Sequence, residues 1–204
     1  MRPLDGMIMT LTLDDKHIYR NDGIEIPSVT QILKAEGFLG WQSGDEYYLL
    51  RGQYVHEAIR QYFKGTLDID ALLEGVRPYV DSAIEYITVT RYKPEHVELS
   101  LFSFAYKYAG TPDVWPLRDW KTGGKKTWHI LQIAAYYMLA QENNELFLTP
   151  SILPMNVYLR PDGKMPKCEP YTISQLLEGK KVFLSALACY NWKKNNGLIK
   201  ENKS

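Results

Sequence analysis

Hydrophobic and polar positions follow two different periods along this chain, and each period predicts one kind of element. Between residues 7 and 26 apolar side chains alternate on either side of Asn21-Asp22-Gly23, a turn signal that predicts a small β-hairpin. Ser28 is placed to cap a short helix that Gly37 ends. The apolar face of that helix contains Val29, Ile32 and Leu33.

Four further segments repeat their apolar residues every three or four positions, which predicts amphipathic helices. The first runs from about Glu46 to Phe63, and the second from Val76 to Ile87. The third runs from Trp128 to Asn143, and the last begins at the capping-box signature Thr172-x-x-Gln175. We expect Leu49, Val55, Ile59 and Phe63 to form the buried stripe of the first of these helices.

From His96 to Trp120 the residues become β-branched, aromatic and alternating, with Gly110 and Pro112 as interruptions. This pattern predicts an antiparallel meander of three strands. A further strand is expected from Ile152 to Arg160. The order of elements predicts one domain of the α/β or α+β class over residues 1–204. Residues 1–26 would form an N-terminal hairpin extension, and residues 193–204 a polar tail.

Composition narrows the class of protein more than it indicates a function. The chain has 204 residues, 45% of them hydrophobic, and its 24 Lys plus Arg balance its 24 Asp plus Glu. Cys168 and Cys189 form no C-x-x-C pair, which argues against a zinc ribbon, an iron–sulfur cluster or a disulfide scaffold. The N-terminus carries no apolar signal core, and no apolar run approaches the roughly 20 residues that span a bilayer. We therefore expect a soluble cytoplasmic protein.

The segment from Asp113 to Lys121 contains the candidate chemistry. Two carboxylates, from Asp113 and Asp119, can hold a hard divalent ion, and the Lys121 ammonium can orient water or stabilise developing negative charge. An odd-numbered loop centred on Pro116 pairs Asp113 with Asp119 on one face, whereas a two-residue turn at Pro116-Leu117 separates them unless a bulge intervenes. By themselves, Asp119 and Lys121 are more commonly explained as solvated strand charges, because the short D-x-K pattern often occurs by chance.

Several motifs occur in a fixed order around this segment. They are Ile26-Pro-Ser-Val-Thr-Gln-Ile-Leu33, Arg51-Gly-Gln-Tyr-Val-His56, Gly110-Thr-Pro-Asp113, Asp119-Trp-Lys121-Thr-Gly123 and Gln132-Ile-Ala-Ala-Tyr136. Together they resemble the RecB-like and phage-exonuclease branch of the PD-(D/E)XK nucleases. The resemblance implies a restriction-endonuclease-like core, in which helices flank a central mixed sheet with an antiparallel meander.

The resemblance also implies roles for individual residues and a Mg²⁺ or Mn²⁺ cofactor. His56, Asp113 and Asp119 would bind the metal, with Glu98 as a weaker fourth candidate, and Lys121 would be the catalytic lysine. Gln132 and Tyr136, which lie on one helix face at i, i+4, would line the same cleft and complete the catalytic set. Without the resemblance, His56 would be read as a hydrogen-bonded core histidine, and Gln132 and Tyr136 as helix packing.

The implied partner is DNA. Arg51, Lys125 and Lys126 are candidates for neutralising phosphates, as are Lys107 and Arg118. The tryptophans among these charges could stack on an unpaired base or belong to the core; they are Trp115, Trp120 and Trp128.

These expectations favour an exonuclease of phage-type DNA recombination, repair or replication, in the cytoplasm of a phage-infected or prophage-bearing bacterium. A homo-oligomer and a single-strand-binding or recombination partner protein would suit that activity, whereas a membrane partner is not expected. Two alternatives stay open. One is an endonuclease acting on branched or single-stranded DNA. The other is a non-catalytic DNA- or protein-binding module, because the interval between Asp113 and Asp119 is shorter than is usual in the family.

Overall fold

The computed structural model describes residues 11–14, 18–39, 46–143 and 152–199, in which ten short strands and five helices are found. The helices are α1 Val29–Ala35, α2 Glu46–Lys64, α3 Arg77–Thr90, α4 His129–Glu142 and α5 Ile173–Asn195. The strands are β1 Leu11–Leu13, β2 Tyr19–Asn21, β3 Ile24–Ile26, β4 His96–Val97, β5 Leu101–Phe102, β6 Ala109–Gly110, β7 Val114–Trp115, β8 Arg118–Lys121, β9 Met155–Tyr158 and β10 Lys167–Pro170.

The central sheet has five strands in the order β10-β9-β8-β7-β4. Strands β8 and β9 are parallel, because α4 lies between them in the chain, and the other neighbouring pairs are antiparallel. The mixed sheet flanked by helices confirms the predicted fold class. The meander expected over residues 96–120 is more complex than predicted, since β5 and β6 leave the central sheet and pair with each other.

Two hydrophobic cores cover the two faces of the central sheet. Helices α1, α4 and α5 pack on one face, where the core includes Leu117, Ile133 and Phe183. Helices α2 and α3 pack on the other face, against Trp120 and Val157. Because side chains alternate along a strand, neighbouring residues of β8 point to opposite layers. The candidate site lies on this strand, between the two layers.

The predicted helix boundaries agree with the observed caps. Ser28 and Thr172 are the N-caps of α1 and α5, and each forms a reciprocal capping box with the glutamine three residues later. Gly37 follows α1 with a φ of +77°, the left-handed conformation that glycine adopts without steric cost.

The predicted buried stripe of α2 is only partly correct. Val55 and Ile59 are buried, but Leu49 is 62% exposed. Residues 46–50 at the start of α2 are all exposed, so the helical spacing of apolar residues there does not indicate a buried face. The described residues contain no helix long and apolar enough to cross a membrane.

The N-terminal segment forms a three-stranded sheet, β1-β2-β3, and the turn between β2 and β3 lies at Asp22-Gly23 as predicted. Tyr19 and Ile26 from this sheet pack on Phe102 and Ala109 of the β5–β6 pair. The sheet is thereby joined to the rest of the protein. Residues 7–10 of the predicted hairpin lie outside the described residues.

The segment expected to be a polar tail begins inside a helix. Helix α5 continues to Asn195, and Lys193 Nζ donates to Glu36 Oε2 at 2.7 Å beyond the end of α1. Residues 200–204 are outside the described part of the chain.

Candidate active site

The hairpin between β7 and β8 has the odd register. Val114 pairs with Arg118, which leaves the three residues Trp115, Pro116 and Leu117 between the paired positions. The Trp115–Pro116 peptide bond is cis. Asp113 and Asp119 each lie one residue beyond this pair, so continuing the same register by one residue would place them opposite each other, although Asp113 itself lies just outside β7. The three-residue loop centred on Pro116, predicted as the condition for one site, is therefore observed.

Asp113 is fixed by one contact on each carboxylate oxygen. Its Oδ1 lies 3.1 Å from His56 Nδ1, and its Oδ2 accepts a hydrogen bond of 2.9 Å from the backbone N–H of Trp120. Burial raises the pKa of Asp113, but His56, the Trp120 N–H and Lys121 outweigh it and hold the pKa below its usual value. Helix α2 and strand β8 thus meet at an ionised carboxylate.

His56 projects from α2 toward the two carboxylates. Burial lowers the pKa of its imidazole, yet Asp113 and Asp119 raise it further than burial lowers it, so the net shift is upward. Its contact with Asp113 uses Nδ1, which leaves Nε2 as its second ring nitrogen. Sequence periodicity placed His56 beside the apolar stripe, and the structure shows that it contacts the partly buried carboxylate of Asp113.

Asp119 is the most enclosed of the candidate residues, with 2% of its surface exposed. Its Oδ2 lies 2.6 Å from Lys121 Nζ, but the approach is not that of a directed hydrogen bond, and no described group donates one to this oxygen. Burial raises the pKa of the Asp119 carboxyl and nearby Asp113 raises it further, against the opposing effect of Lys121. Burying a carboxylate is costly unless an opposite charge pairs with it, and here the Lys121 ammonium is that charge.

Lys121 is oriented by a relay from α4. Its Nζ donates to Gln132 Oε1 at 2.8 Å, and Gln132 Nε2 donates to Tyr136 Oη at 3.1 Å. Gln132 and Tyr136, which their i, i+4 spacing places on one face of α4, are therefore bonded to each other and, through Gln132, to Lys121. Burial raises the pKa of the Tyr136 hydroxyl, and the nearby Asp119 adds to that rise, so Tyr136 is neutral.

Glu98 is next to the candidate site without contacting the aspartate side chains. Its backbone N–H donates to the Asp113 carbonyl at 3.0 Å, and its Oε2 lies 3.4 Å from Arg60 Nε. The side chain lines a small cleft together with His56 and Asp113. Burial raises the pKa of Glu98, and Arg60 opposes that rise. Glu98 borders the site from the β4 side together with its partner Arg60, a residue that the sequence did not indicate.

The donor atoms suit a hard divalent cation, although they do not enclose one. Across the described ranges, no three His, Cys, Asp or Glu side chains form a metal-binding group. Asp113 and Asp119 provide carboxylate oxygens of the kind that Mg²⁺ prefers, and Asp119 Oδ2 accepts no directed hydrogen bond within the described residues. His56 and Lys121 now occupy the positions beside these oxygens. A cation held by Asp113 and Asp119 would therefore have to displace these two contacts.

The three candidate phosphate contacts differ in their surroundings. The Arg51 guanidinium stacks on the Tyr48 ring and donates a hydrogen bond of 3.1 Å to the Thr122 carbonyl. The Lys125 ammonium is paired with Glu169 of β10, and Lys126 is exposed. Arg51 and both lysines border the segment that follows Lys121.

Three of the further candidates for DNA contact are core residues instead. Arg118 is 7% exposed and donates to Tyr86 Oη and two backbone carbonyls. Trp115 and Trp120 are also buried. A phosphate role for Arg118 was therefore wrong, and of the two alternatives for Trp115 and Trp120 the core is the one observed, because charge and aromaticity do not reveal which face of a strand is covered. Trp128 is partly exposed, and its ring centroid lies 5.7 Å from Lys121 Nζ.

A polar network beside Lys121 was not predicted at all. His129 Nδ1 lies 3.0 Å from Tyr158 Oη, and Asn156 Nδ2 donates to Tyr171 Oη at 2.8 Å. Strands β8 and β9 are paired so that Asn156 is opposite Asp119 and Tyr158 is opposite Lys121. The i, i+3 spacing of His129 and Gln132 on α4 is a sequence signal that could have placed His129 near Lys121. The positions of Asn156 and Tyr158 depend on the β8–β9 register, which cannot be read from either strand alone.

Comparison with known proteins supports the fold and is silent on individual residues. No family model matches the chain, and no curated protein does. Among solved structures, the chain is similar to one from Eubacterium rectale described as a "Putative exonuclease". The two agree with a TM-score of 0.54 and 14% identity, over 83% of this chain and 74% of the other. At that identity the likeness shows a common fold.

Proposed function

We propose that this chain is a Mg²⁺- or Mn²⁺-dependent deoxyribonuclease, acting as an exonuclease in phage-type DNA recombination, repair or replication. The observation that supports the proposal best is the odd register of the β7–β8 hairpin, in which Val114 pairs with Arg118, because this register puts Asp113 and Asp119 at corresponding positions next to the paired residues. The described activity of the Eubacterium rectale neighbour is consistent with it. The phage-type setting rests on the resemblance of residues 26–33 and the later motifs to phage members.

In this proposal Asp113, Asp119 and the Nε2 of His56 hold the cation, and Glu98 is a weaker fourth candidate. The bond from His56 Nδ1 to Asp113 would set the imidazole orientation, as carboxylates commonly do for metal-binding histidines. A bound divalent ion would neutralise phosphate charge and lower the pKa of a water nucleophile.

Lys121 would stabilise negative charge on the reacting phosphate or orient the attacking water. Gln132 Oε1 fixes the ammonium at 2.8 Å, and Tyr136 fixes Gln132 in turn. This relay restricts Lys121 to one position near Asp119, so the group requires little reorganisation during the reaction. Gln132 and Tyr136 are positioning residues in this mechanism.

A cleavage assay tests the proposal. The purified chain is incubated with Mn²⁺ or Mg²⁺ and with end-labelled linear DNA or closed circular DNA. We expect linear DNA to be degraded, closed circles to persist, and Asp119→Asn to abolish degradation. Asp162→Asn is the matched control, because it removes an exposed carboxylate paired only with Arg160 and Lys164 in the described structure. Opening of closed circles would instead identify an endonuclease.

The same variants separate a nuclease from a non-catalytic module. Calorimetric titration with Mn²⁺ should show binding by the wild-type chain and by Asp162→Asn, and weaker binding by Asp113→Asn and Asp119→Asn. If wild-type protein neither cleaves DNA nor binds Mn²⁺ through these aspartates, the enzymatic proposal is wrong. The chain would then be a binding module with a nuclease-like fold.

A further inference from the structure

The first two turns of α2 expose an unusual amount of apolar surface. Tyr48 is 57% exposed and Leu49 is 62% exposed, and the remaining large side chains there are similar. Concentrated exposed apolar surface in a folded domain commonly marks a binding site. The other exposed large apolar side chains near the start of α2 are Tyr47, Leu50 and Tyr54.

A cation stacks on the rings at this end of the helix. The Arg51 guanidinium carbon lies 5.0 Å from the centre of the Tyr48 ring and 4.5 Å from that of Tyr79. Tyr47 and Tyr48 contact each other edge to face, with ring centres 5.5 Å apart. Exposed rings beside a fixed guanidinium have the chemistry that binds an unpaired base and its phosphate. A purely apolar protein partner would leave the charge of Arg51 without a counterpart.

Helix geometry aligns this surface with the candidate active site. Tyr48, Gly52 and His56 are four residues apart, so they share one face of α2. The eight residues from Tyr48 to His56 span roughly 12 Å along the axis. Gly52 has no side chain to interrupt the row, and a Cβ there would lie 3.6 Å from Thr122 Oγ1. Arg51 also donates to the Thr122 carbonyl, directly after Lys121.

We propose that Tyr48 and Arg51 form a stacking platform that binds an unpaired base, with Tyr48 about 12 Å from His56 along the α2 axis. The platform makes DNA with a single-stranded end the preferred substrate class, because a paired base has no free ring face to stack. This inference rests on the proposed nuclease function. It adds a substrate preference and a residue, Tyr48, that the sequence motifs did not assign.

The test measures binding and cleavage separately. Fluorescence anisotropy in EDTA gives the dissociation constants for a labelled oligothymidylate and for a blunt duplex, at several salt concentrations. We expect Tyr48→Ala to weaken oligothymidylate binding about 5- to 150-fold, and duplex binding less than about 2-fold. Tyr48→Phe should bind like the wild type, since the ring is kept. Trp192→Ala, which removes another exposed aromatic ring, is the matched control.

Salt dependence distinguishes stacking from loss of charge. Tyr48→Ala should leave the slope of log affinity against log salt unchanged, because no phosphate contact is removed. Equal oligothymidylate affinity for wild type and Tyr48→Ala would overturn the platform, even if the protein cleaves DNA. Loss of affinity in Tyr48→Phe as severe as in Tyr48→Ala would overturn it as well.

The Mn²⁺ cleavage assay then tests the proposed function independently. Preferred cleavage of single-stranded ends that is lost in Tyr48→Ala supports the platform and the nuclease together. Binding that depends on Tyr48 without any cleavage supports the platform as a binding surface, and contradicts the nuclease.

Discussion

Replacing Gly110 with alanine tests whether close packing beneath the site limits this position to glycine. A Cβ at Gly110 would lie 2.7 Å from Tyr136 Cε1, 3.1 Å from Val29 Cγ2 and 3.2 Å from Leu139 Cδ1. All three neighbours are buried, so none can move into solvent. The hydroxyl of Tyr136 is also tied to Gln132. Overpacking of this kind costs about 1–3 kcal/mol.

Thermal or urea denaturation measures this cost. For a chain of this size, that loss corresponds to a fall in Tm of roughly 2–12 °C. Gly124→Ala is the matched control, since a Cβ there would meet nothing within 4 Å. We expect the control to change the free energy of unfolding by less than about 0.5 kcal/mol. If Gly110→Ala is as stable as Gly124→Ala, the packing argument is refuted.

The same substitution should disturb the site. A Tyr136 ring displaced by the new methyl group would shift Gln132 and, through it, Lys121. We therefore expect Gly110→Ala to reduce cleavage more than its unfolded fraction explains. The first residue of Gly110-Thr-Pro-Asp113 thereby acquires a physical explanation, which is room for the ring that orients the lysine relay.

Three further predictions follow from the described contacts. Arg118→Met should lower the free energy of unfolding by about 1.5–3 kcal/mol, because it removes a buried donor to Tyr86, and should leave the DNA affinity of the folded protein unchanged. Burial lowers the pKa of His129 to about 3, so below pH 6.5 the unfolded chain takes up a proton that the folded chain excludes. The contribution of neutral, buried His129 to the free energy of unfolding is complete above pH 6.5 and should be lost toward pH 3 by up to about 1.4 kcal/mol per pH unit. In His129→Gln, denaturation at several pH values should show a pH dependence that is smaller by one proton. Glu169→Gln should release Lys125 from its ion pair and steepen the salt dependence of DNA binding by up to about 0.9, and an unchanged slope would contradict a phosphate role for Lys125.

Local signals explain why the helices were predictable. The capping residues Ser28 and Thr172 act on backbone groups only three residues away, so sequence contains everything that decides those helix starts. The Asp22-Gly23 turn is equally local. The odd hairpin register could be stated only as one of two alternatives, because loop length alone does not fix which residues pair.

Burial could not be read from residue type. Arg118 and Trp120 are residue types common on DNA-binding surfaces, yet both are buried. Leu49 and Tyr48 are residue types common in hydrophobic cores, yet both are exposed at the start of α2. In each case the outcome depends on whether another helix or strand covers that face, which involves residues distant in sequence.

By itself, the sequence determined the helix starts, the class of the fold and the residue types that can perform metal-dependent chemistry, because these depend on neighbours along the chain. Only the tertiary structure decided that Asp113 faces His56, that Lys121 is held by Gln132, and that Asn156 lies opposite Asp119. The physical reason is the same in each case. These contacts join helices and strands through packing and strand register, which no local pattern specifies.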